Sequence, residues 1–292
     1  DLSPRDSVEH KAGHVWAELC ATDELFEVGC RGDARYALRV IAGAPTRSAN
    51  GHDLPLDEQS VVLLTGGARG ITARVAIELA RRYGCRLVLV GRSPLPPSEE
   101  DPVFAQATDA VALRRVLVQV KQLRDPVLVE AECARLLAAR EVRASLAAIR
   151  AAGGTLVYRS VDVRDSEAWA GAIDELYAEY GRLDGVFHGA GILEDKLVAD
   201  KSPESFARVF DTKVKSAMVI ADKVRPDVKL VVFFSSIAGV FGNRGQVDYA
   251  AANDALDKLA WWLGARVDGR VLSVNWGPWQ GTGMVSAELA RE

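Results

Sequence analysis

The sequence has few cysteines, no long hydrophobic run and no excess of positive charge. Its four cysteines are scattered without a C-x-x-C pair, which indicates reduced, packed thiols. The longest apolar runs have about five residues, as at 230–234, whereas a membrane span needs roughly 20. The net charge is −4, so a nucleic-acid partner is not expected. We therefore expect a cytoplasmic protein that binds neither membranes nor nucleic acids.

Two features of a natural chain start are also missing. The first eleven residues lack the basic-then-apolar layout of a signal peptide, and there is no initiator methionine. We expect the 292 residues to be a piece of a longer protein. With 49% hydrophobic and 26% charged residues, the composition is typical of a folded globular chain.

Residues 1–58 differ in texture from the rest. The pattern favours a short amphipathic helix over 7–19 and two strands, 25–28 and 34–41, joined by a turn at 30–33. Residues 44–60 are rich in Pro, Gly, Ser and Asp, which is linker composition. We predict an N-terminal structural segment and linker over 1–58 and a separate domain over 59–292.

From Val61 onward, short apolar runs alternate with amphipathic helical patterns. Continuous apolar strands separated by helices predict an α/β fold with a doubly wound, Rossmann-like parallel sheet. About 60 residues, 93–154, separate the second strand of this sheet from the third, where about a dozen would suffice. We predict a helical insertion there, which is either a partner or dimer surface or only a decorated crossover.

A glycine loop, TGGARGIT at 65–72, follows the first strand of this sheet and opens a helix. Glycines allow a tight turn and a close approach of backbone N–H groups to a pyrophosphate, and the helix N-terminus adds its dipole. The alternative is a plain strand-to-helix turn. The predicted cofactor-binding residues of the loop are Gly66, Gly67, Ala68, Arg69, Gly70 and Ile71.

The end of the second strand indicates which dinucleotide is bound. An NAD site usually has an acidic residue there, to bond the ribose 2′-hydroxyl. This strand instead ends in Gly91, Arg92 and Ser93. A guanidinium favours a 2′-phosphate, so we predict NADPH, with Arg69 as a second candidate for the phosphate.

A third motif lies at 235–260, where a strand end runs into a helix. Tyr249 and Asn253 are four residues apart and share one helix face, and Ser236 lies at the strand end. With the glycine loop, this pattern resembles the short-chain dehydrogenase/reductase family. More narrowly, 61–284 is similar to the ketoreductase domains of polyketide and polyunsaturated fatty acid synthases. The strings HGAGILED, FDTKVKSA, YAAAN and VNWGPW support this resemblance.

The resemblance implies an enzyme of polyketide or fatty acid biosynthesis that reduces a 3-ketoacyl thioester with NADPH. The acyl chain would be carried on the phosphopantetheine arm of an acyl carrier protein, beside neighbouring synthase domains and with a homodimer formed through the parent synthase. Tyr249 would be the general acid, with its pKa lowered by Lys213, a lysine placed on the preceding crossover helix. Ser236 would hold the substrate oxygen, and Asn253 would orient Lys213 or a relay water.

The resemblance also implies further contacts. Leu193-Glu194-Asp195 and the absence of Trp at Phe241 resemble the group that makes the D (3R) product, although Glu194 departs from its LDD pattern. Thr72 replaces the third glycine and would shift its helix slightly outward. Besides Lys213 and Tyr249, the implied cofactor contacts are Asp162, Val163, Gly189, Ala190, Gly191, Pro278 and Trp279. The implied substrate contacts are Leu193, Asp195, Phe241, Trp279 and Met284.

Some expectations are negative or open. The lid helix and last strand of the family are expected to be missing, because the sequence stops at Glu292. His10 and His14 are four apart but have no evident further ligand, so no metal is expected. Two other functions stay open: a free-standing reductase of a small ketone, and a catalytically silent scaffold that binds nucleotide.

Overall fold

The computed structural model describes residues 2–23, 25, 27–37, 39–43 and 54–279. The chain divides into two compact units, 1–52 and 53–292. The helices are α1 (Val8–Leu19), α2 (Gly70–Tyr83), α3 (Pro102–Ala105), α4 (Ala110–Val120), α5 (Pro126–Ala151), α6 (Ser166–Tyr180), α7 (Pro203–Phe210), α8 (Ser216–Lys223), α9 (Ile237–Phe241) and α10 (Val247–Gly264). The strands are β1 (Val28–Arg31), β2 (Ala34–Ala37), β3 (Val61–Thr65), β4 (Arg86–Gly91), β5 (Thr155–Ser160), β6 (Gly185–His188), β7 (Leu230–Ser236) and β8 (Arg270–Trp276).

The first unit contains α1 and an antiparallel hairpin of β1 and β2. The hairpin differs from the predicted one, because Cys30 and Arg31 belong to β1 instead of the turn. The turn is therefore only Gly32 and Asp33, with Gly32 in the left-handed region at φ 53°. A two-residue turn of this kind needs positive φ, which glycine supplies at least cost.

The second unit contains a six-stranded sheet in the order β5-β4-β3-β6-β7-β8, with every pairing parallel. The prediction of a doubly wound, Rossmann-like sheet is confirmed. In such sheets a ligand crevice forms at the carboxyl ends of the strands, where the chain order reverses. Here that point lies between β3 and β6.

Alternation along the strands fills a core on each face of the sheet. Val61 and Leu63 of β3 pack with side chains of α6, α8 and α10 on one face. Val62 and Leu64 pack with α2 and the C-terminal half of α5 on the other. All four side chains are at most 2% exposed, which explains the unbroken apolar run.

The insertion between β4 and β5 is helical, as predicted. Its helices α3, α4 and the N-terminal half of α5 enclose a small core of their own, around Leu113, Leu117 and Cys133. A single 26-residue helix, α5, thus joins this core to the sheet. Among the described residues, none of the helices is long and apolar enough to cross a bilayer.

Candidate active site

The described part of the chain contains a pocket of about 1220 Å³ at the carboxyl edge of the sheet. It is lined by residues that follow β3, β4, β6 and β7, and by one side of α5. The predicted site residues that line it are Gly66, Ala68, Arg69, Gly70, Ile71, Gly91, Arg92, Ser93, Asp162, Val163, Gly189, Ala190, Gly191, Leu193, Lys213, Ser236, Phe241, Tyr249, Pro278 and Trp279. Gly67, Asp195 and Asn253 lie outside this lining, and Met284 lies outside the described residues.

Gly66 and Gly67 of the glycine loop pack too tightly for side chains. Gly66 has φ 68°, and a Cβ there would lie 3.2 Å from the carbonyl oxygen of Gly189. A Cβ on Gly67 would lie 2.8 Å from the Cβ of Leu64. Glycine at these two positions therefore lets the loop pack against Gly189 and Leu64 as it turns into the N-terminus of α2. This geometry fits the pyrophosphate of a dinucleotide, which such a helix end attracts.

Thr72 replaces the third glycine of the loop pattern, and Gly189 leaves room for its side chain. Its side chain is buried, and Thr72 Oγ1 lies 2.1 Å from where a Cβ on Gly189 would be. Gly189 therefore provides the space that Thr72 occupies. A match between positions 72 and 189 has no local sequence signal, because 117 residues separate them.

Glu141, on α5, reaches the start of α2 and was not predicted. Its carboxylate accepts hydrogen bonds from Arg69 Nε at 2.7 Å and from Gly70 N at 2.8 Å. It therefore occupies part of the positive helix end that a phosphate would use. Arg69, a candidate partner of the 2′-phosphate, is held by this carboxylate instead of being free.

Arg92, which directly follows β4, has an exposed guanidinium. Tyr158 Oη donates to Ser93 O at 2.7 Å and Ser160 Oγ to Arg92 O at 3.2 Å, so both fix the backbone that carries the Arg92 side chain. Asp162 is bound by Arg164, with one contact of 2.7 Å, and this guanidinium lowers the pKa of Asp162. No acidic residue ends β4, which agrees with the charge pattern seen in the sequence.

Lys213 lies on a π-helical turn, Asp211–Lys215, between α7 and α8. Such turns recur at functional sites because they displace one residue from the regular helix face. The Lys213 side chain is buried, donates from Nζ to Phe234 O at 2.7 Å and lies 5.4 Å from the centre of the Tyr249 ring. Burial lowers the pKa of Lys213 to about 8.

The pKa of Tyr249 moves in the direction opposite to the one expected. Burial raises it, while side-chain hydrogen bonds with Ser236 and Asn253 oppose the rise and the charge of Asp195 adds to it. Desolvation dominates, because removing water penalises the phenolate. The nearby Lys213 therefore does not make the resting phenol unusually acidic.

Asn253 is fixed by its own helix. Its Nδ2 donates to Tyr249 O at 2.7 Å, one turn earlier, and its backbone O accepts from Ser235 Oγ at 3.0 Å. Its side-chain Oδ1 is buried and has no hydrogen-bond partner among the described residues. A buried acceptor of this kind suits an ammonium or a water in the proposed relay.

His188 supports the site through contacts at both of its ring nitrogens. Its Nδ1 lies 2.8 Å from Thr65 Oγ1, and its Nε2 lies 2.9 Å from Lys213 O. Burial and the charge of Lys213 lower the pKa of His188 to about 3, so the ring is neutral. Nε2 then carries the proton and donates to the carbonyl, which ties the end of β3 to the π-helical turn.

Asp195, Glu194 and Phe241, on the proposed substrate side, have three different surroundings. Gln246 Nε2 donates to Asp195 Oδ2 at 2.8 Å. Glu194, which departs from the LDD pattern, instead faces α7. There Arg208 donates to both of its carboxylate oxygens at 2.7 Å. Phe241 is 71% exposed at the end of α9.

A third potential metal ligand accompanies the histidine pair of the first unit, contrary to the expectation. The ligand atoms of Asp6, His10 and His14 all lie within 4.8 Å of one another. His10 is exposed and its Nε2 lies 3.5 Å from Asp33 Oδ1, an ordinary partner for a surface imidazole. The absence of a metal stays a prediction.

Comparison with known proteins gives a consistent result. A family model described as the KR domain matches residues 60–281. A polyunsaturated fatty acid synthase subunit of Thraustochytrium is 34% identical over 288 residues, which are 94% of this chain and 10% of the relative. Polyketide synthase PksN of Bacillus subtilis is 30% identical over 97% of this chain and 4% of its own length. The chain thus spans a tenth or less of these relatives.

Solved structures agree in fold. The ketoreductase from the first module of phoslactomycin biosynthesis in Streptomyces has a TM-score of 0.68 and 30% identity, and covers 100% of this chain and 56% of its own. A structure described as an A1-type ketoreductase has a TM-score of 0.70 and 27% identity. The match covers 96% of this chain and 50% of that structure's chain.

Proposed function

The chain belongs to the KR domain family, and on that premise we propose that it reduces a carrier-bound 3-ketoacyl thioester to the 3-hydroxyacyl thioester with NADPH. The observation that carries this proposal is the convergence of Lys213, Ser236 and Tyr249 on the pocket that the glycine loop opens. These side chains come from three separate elements, the π-helical turn, the end of β7 and α10.

The chain's own residues handle the proton and the developing charge. When bound, NADPH supplies the hydride. Tyr249 donates its phenolic proton to the ketone oxygen, and its raised pKa keeps that proton in place until charge develops there. Hydrogen bonds with Ser236 and Asn253 favour the phenolate that remains. Lys213, with a pKa of about 8, is mostly charged at neutral pH and stabilises the same anion.

The preference for NADPH rests on Arg92. Its exposed guanidinium follows β4, and the nearby carboxylate of Asp162 is engaged by Arg164. A ribose 2′-phosphate would therefore meet positive charge, and a 2′-hydroxyl would find no free carboxylate at this strand end.

The family supports the proposed substrate class, and the residues at 193–195 and 241 support the proposed product hand. The relatives are multidomain synthase subunits, which supports an acyl carrier protein and neighbouring synthase domains as partners. Leu193 and Phe241 line the pocket, and Asp195 is held by Gln246, which also lines it. With the resemblance of 193–195 to the LDD pattern and the absence of Trp at 241, this supports the D (3R) product.

The test is NADPH oxidation with a 3-ketoacyl thioester mimic, using the wild type and Tyr249→Phe. We expect the variant to lower kcat by about 10²- to 10⁴-fold, the range for losing a general acid, and to change NADPH affinity much less than kcat. Tyr180→Phe, a substitution outside the pocket, serves as the control. A wild type that binds NADPH tightly but reduces no thioester would overturn the proposal and favour a silent scaffold.

A further inference from the structure

Lys201 and Asp248 form an ion pair inside the second unit, next to the proposed catalytic tyrosine. Lys201 Nζ donates to Asp248 Oδ2 at 2.6 Å, and the two side chains are only 4% and 1% exposed. Asp248 directly precedes Tyr249 in the first turn of α10, and its Oδ1 accepts a hydrogen bond from Tyr249 N at 2.8 Å. The pair therefore contacts the backbone that carries the phenol.

The same ammonium holds the loop on the substrate side of the pocket. Lys201 Nζ also donates to the backbone carbonyl of Glu194. A backbone hydrogen bond from Lys196 N to Gly245 O, at 2.8 Å, joins this loop to the segment before α10. One buried cation thus connects loop 193–196 to the start of the helix that carries Tyr249.

This loop also places the two proposed substrate contacts. Leu193 lines the pocket, and Asp195 accepts a hydrogen bond from Gln246, which directly precedes α10. The Glu194 side chain is anchored on the opposite side, by Ser205 and Arg208 of α7. The loop is therefore fixed from both sides, and its distance from Tyr249 depends on the buried pair.

Stability alone does not account for a pair in this position. Burying two charges has a desolvation penalty that their attraction offsets only with good geometry, and an apolar replacement is often neutral or stabilising. Lys223 and Asp174 also lie 2.6 Å apart, but their side chains are 28% and 58% exposed, where the penalty is small. The buried pair is better explained by the fixed geometry that it imposes.

We propose that Lys201 and Asp248 are positioning residues, which clamp loop 193–196 against the start of α10 so that the ketone meets Tyr249 in one orientation. This inference rests on the proposed function. Because the orientation of the ketone decides which face receives hydride, the clamp determines the hand of the product as well as the rate.

The experiment replaces both charges together, as Lys201→Met with Asp248→Leu, so that neither is left buried alone. The matched control is Lys223→Met with Asp174→Leu, which removes the exposed pair of the same length. Each protein is assayed for thermal unfolding, NADPH affinity, kcat, KM and the chirality of the hydroxy product. Hydrogen exchange of loop 193–196 is measured in parallel and needs no turnover.

We expect the double variant to stay folded and to bind NADPH as the wild type does. Its kcat should fall by up to about 100-fold, since a misplacement of about 1 Å can have that effect, and its product should become a mixture of both hands. Loop 193–196 should exchange faster only in this variant. If the double variant does not fold, Lys201→Gln with Asp248→Asn removes both charges while keeping an acceptor for Tyr249 N.

A folded variant with a single product hand and a protected loop would overturn the inference. Lack of turnover in the wild type would instead refute the proposed function, and the exchange measurement would still decide whether the clamp exists.

Discussion

The pocket is buried and sterically fixed where Tyr249 lies, but exposed and charged where Arg69 lies. At the first position, the proposed catalytic end, Lys213 and Asn253 are at most 3% exposed, and backbone carbonyls accept their hydrogen bonds. At the second, the proposed adenosine end, Arg69 and its partner Glu141 have side chains that are 56% and 42% exposed.

This difference predicts two kinds of response to substitution. Buried groups with fixed partners respond to changes of volume, because the interior is close-packed and cannot relax freely. Exposed ions respond to changes of charge, by small amounts that salt screens. Substitutions near the catalytic end should therefore alter folding and kcat, whereas substitutions at the adenosine end should alter cofactor affinity.

Of the three single substitutions that test this difference, Gly189→Ala, where the glycine loop meets the end of β6, should have the largest effect on stability. Gly189→Ala would place a Cβ 2.1 Å from Thr72 Oγ1 and 3.2 Å from Thr65 O. We expect the free energy of unfolding to fall by about 1–3 kcal/mol, as for other overpacked cores, and cofactor binding to fall with it. Chemical denaturation and NADPH titration measure the two quantities.

Removing the Thr72 hydroxyl should reverse part of that effect. In Gly189→Ala combined with Thr72→Ala, the clashing hydroxyl is gone and α2 gains no glycine, so stability and NADPH binding should return in part. Equal losses in the single and double variants would contradict the steric match between positions 72 and 189. They would also contradict the claim that volume governs this part of the pocket.

Arg92→Ala should give a smaller and different effect, at the adenosine end. The side chain is exposed, so stability should change by no more than about 0.5 kcal/mol. Losing a charged hydrogen bond to the 2′-phosphate should raise KM for NADPH by about tenfold. Steady-state kinetics with NADH give the internal control, since KM for NADH should not change. An equal rise in KM for NADPH and NADH would show that Arg92 does not recognise the 2′-phosphate.

The sequence predicted the fold and several local features, but it missed particular side-chain contacts between distant segments. Hydrophobic runs predicted the parallel sheet, and spacing placed Tyr249 and Asn253 on one face of α10. The buried pair of Lys201 and Asp248 joins residues 47 apart in the chain, and Glu141 reaches Gly70 across 71 positions. Such pairings depend on how the insertion and the loops pack, which no periodicity encodes.

The smallest effect should come from Glu141→Gln at the N-terminus of α2. The amide oxygen can still accept from Gly70 N, but the negative charge that competes with a pyrophosphate is gone. One charge at a helix end contributes about 0.3–1 kcal/mol, so NADPH should bind about two- to fivefold more tightly. Fluorescence titration at low and high salt measures this, and the gain should shrink as salt screens it. Glu130→Gln, on the same helix but paired with Arg114, is the control and should leave affinity unchanged. Weaker binding by Glu141→Gln would mean that this carboxylate orients Arg69 toward the cofactor, and the adenosine end would then depend on fixed geometry as the catalytic end does.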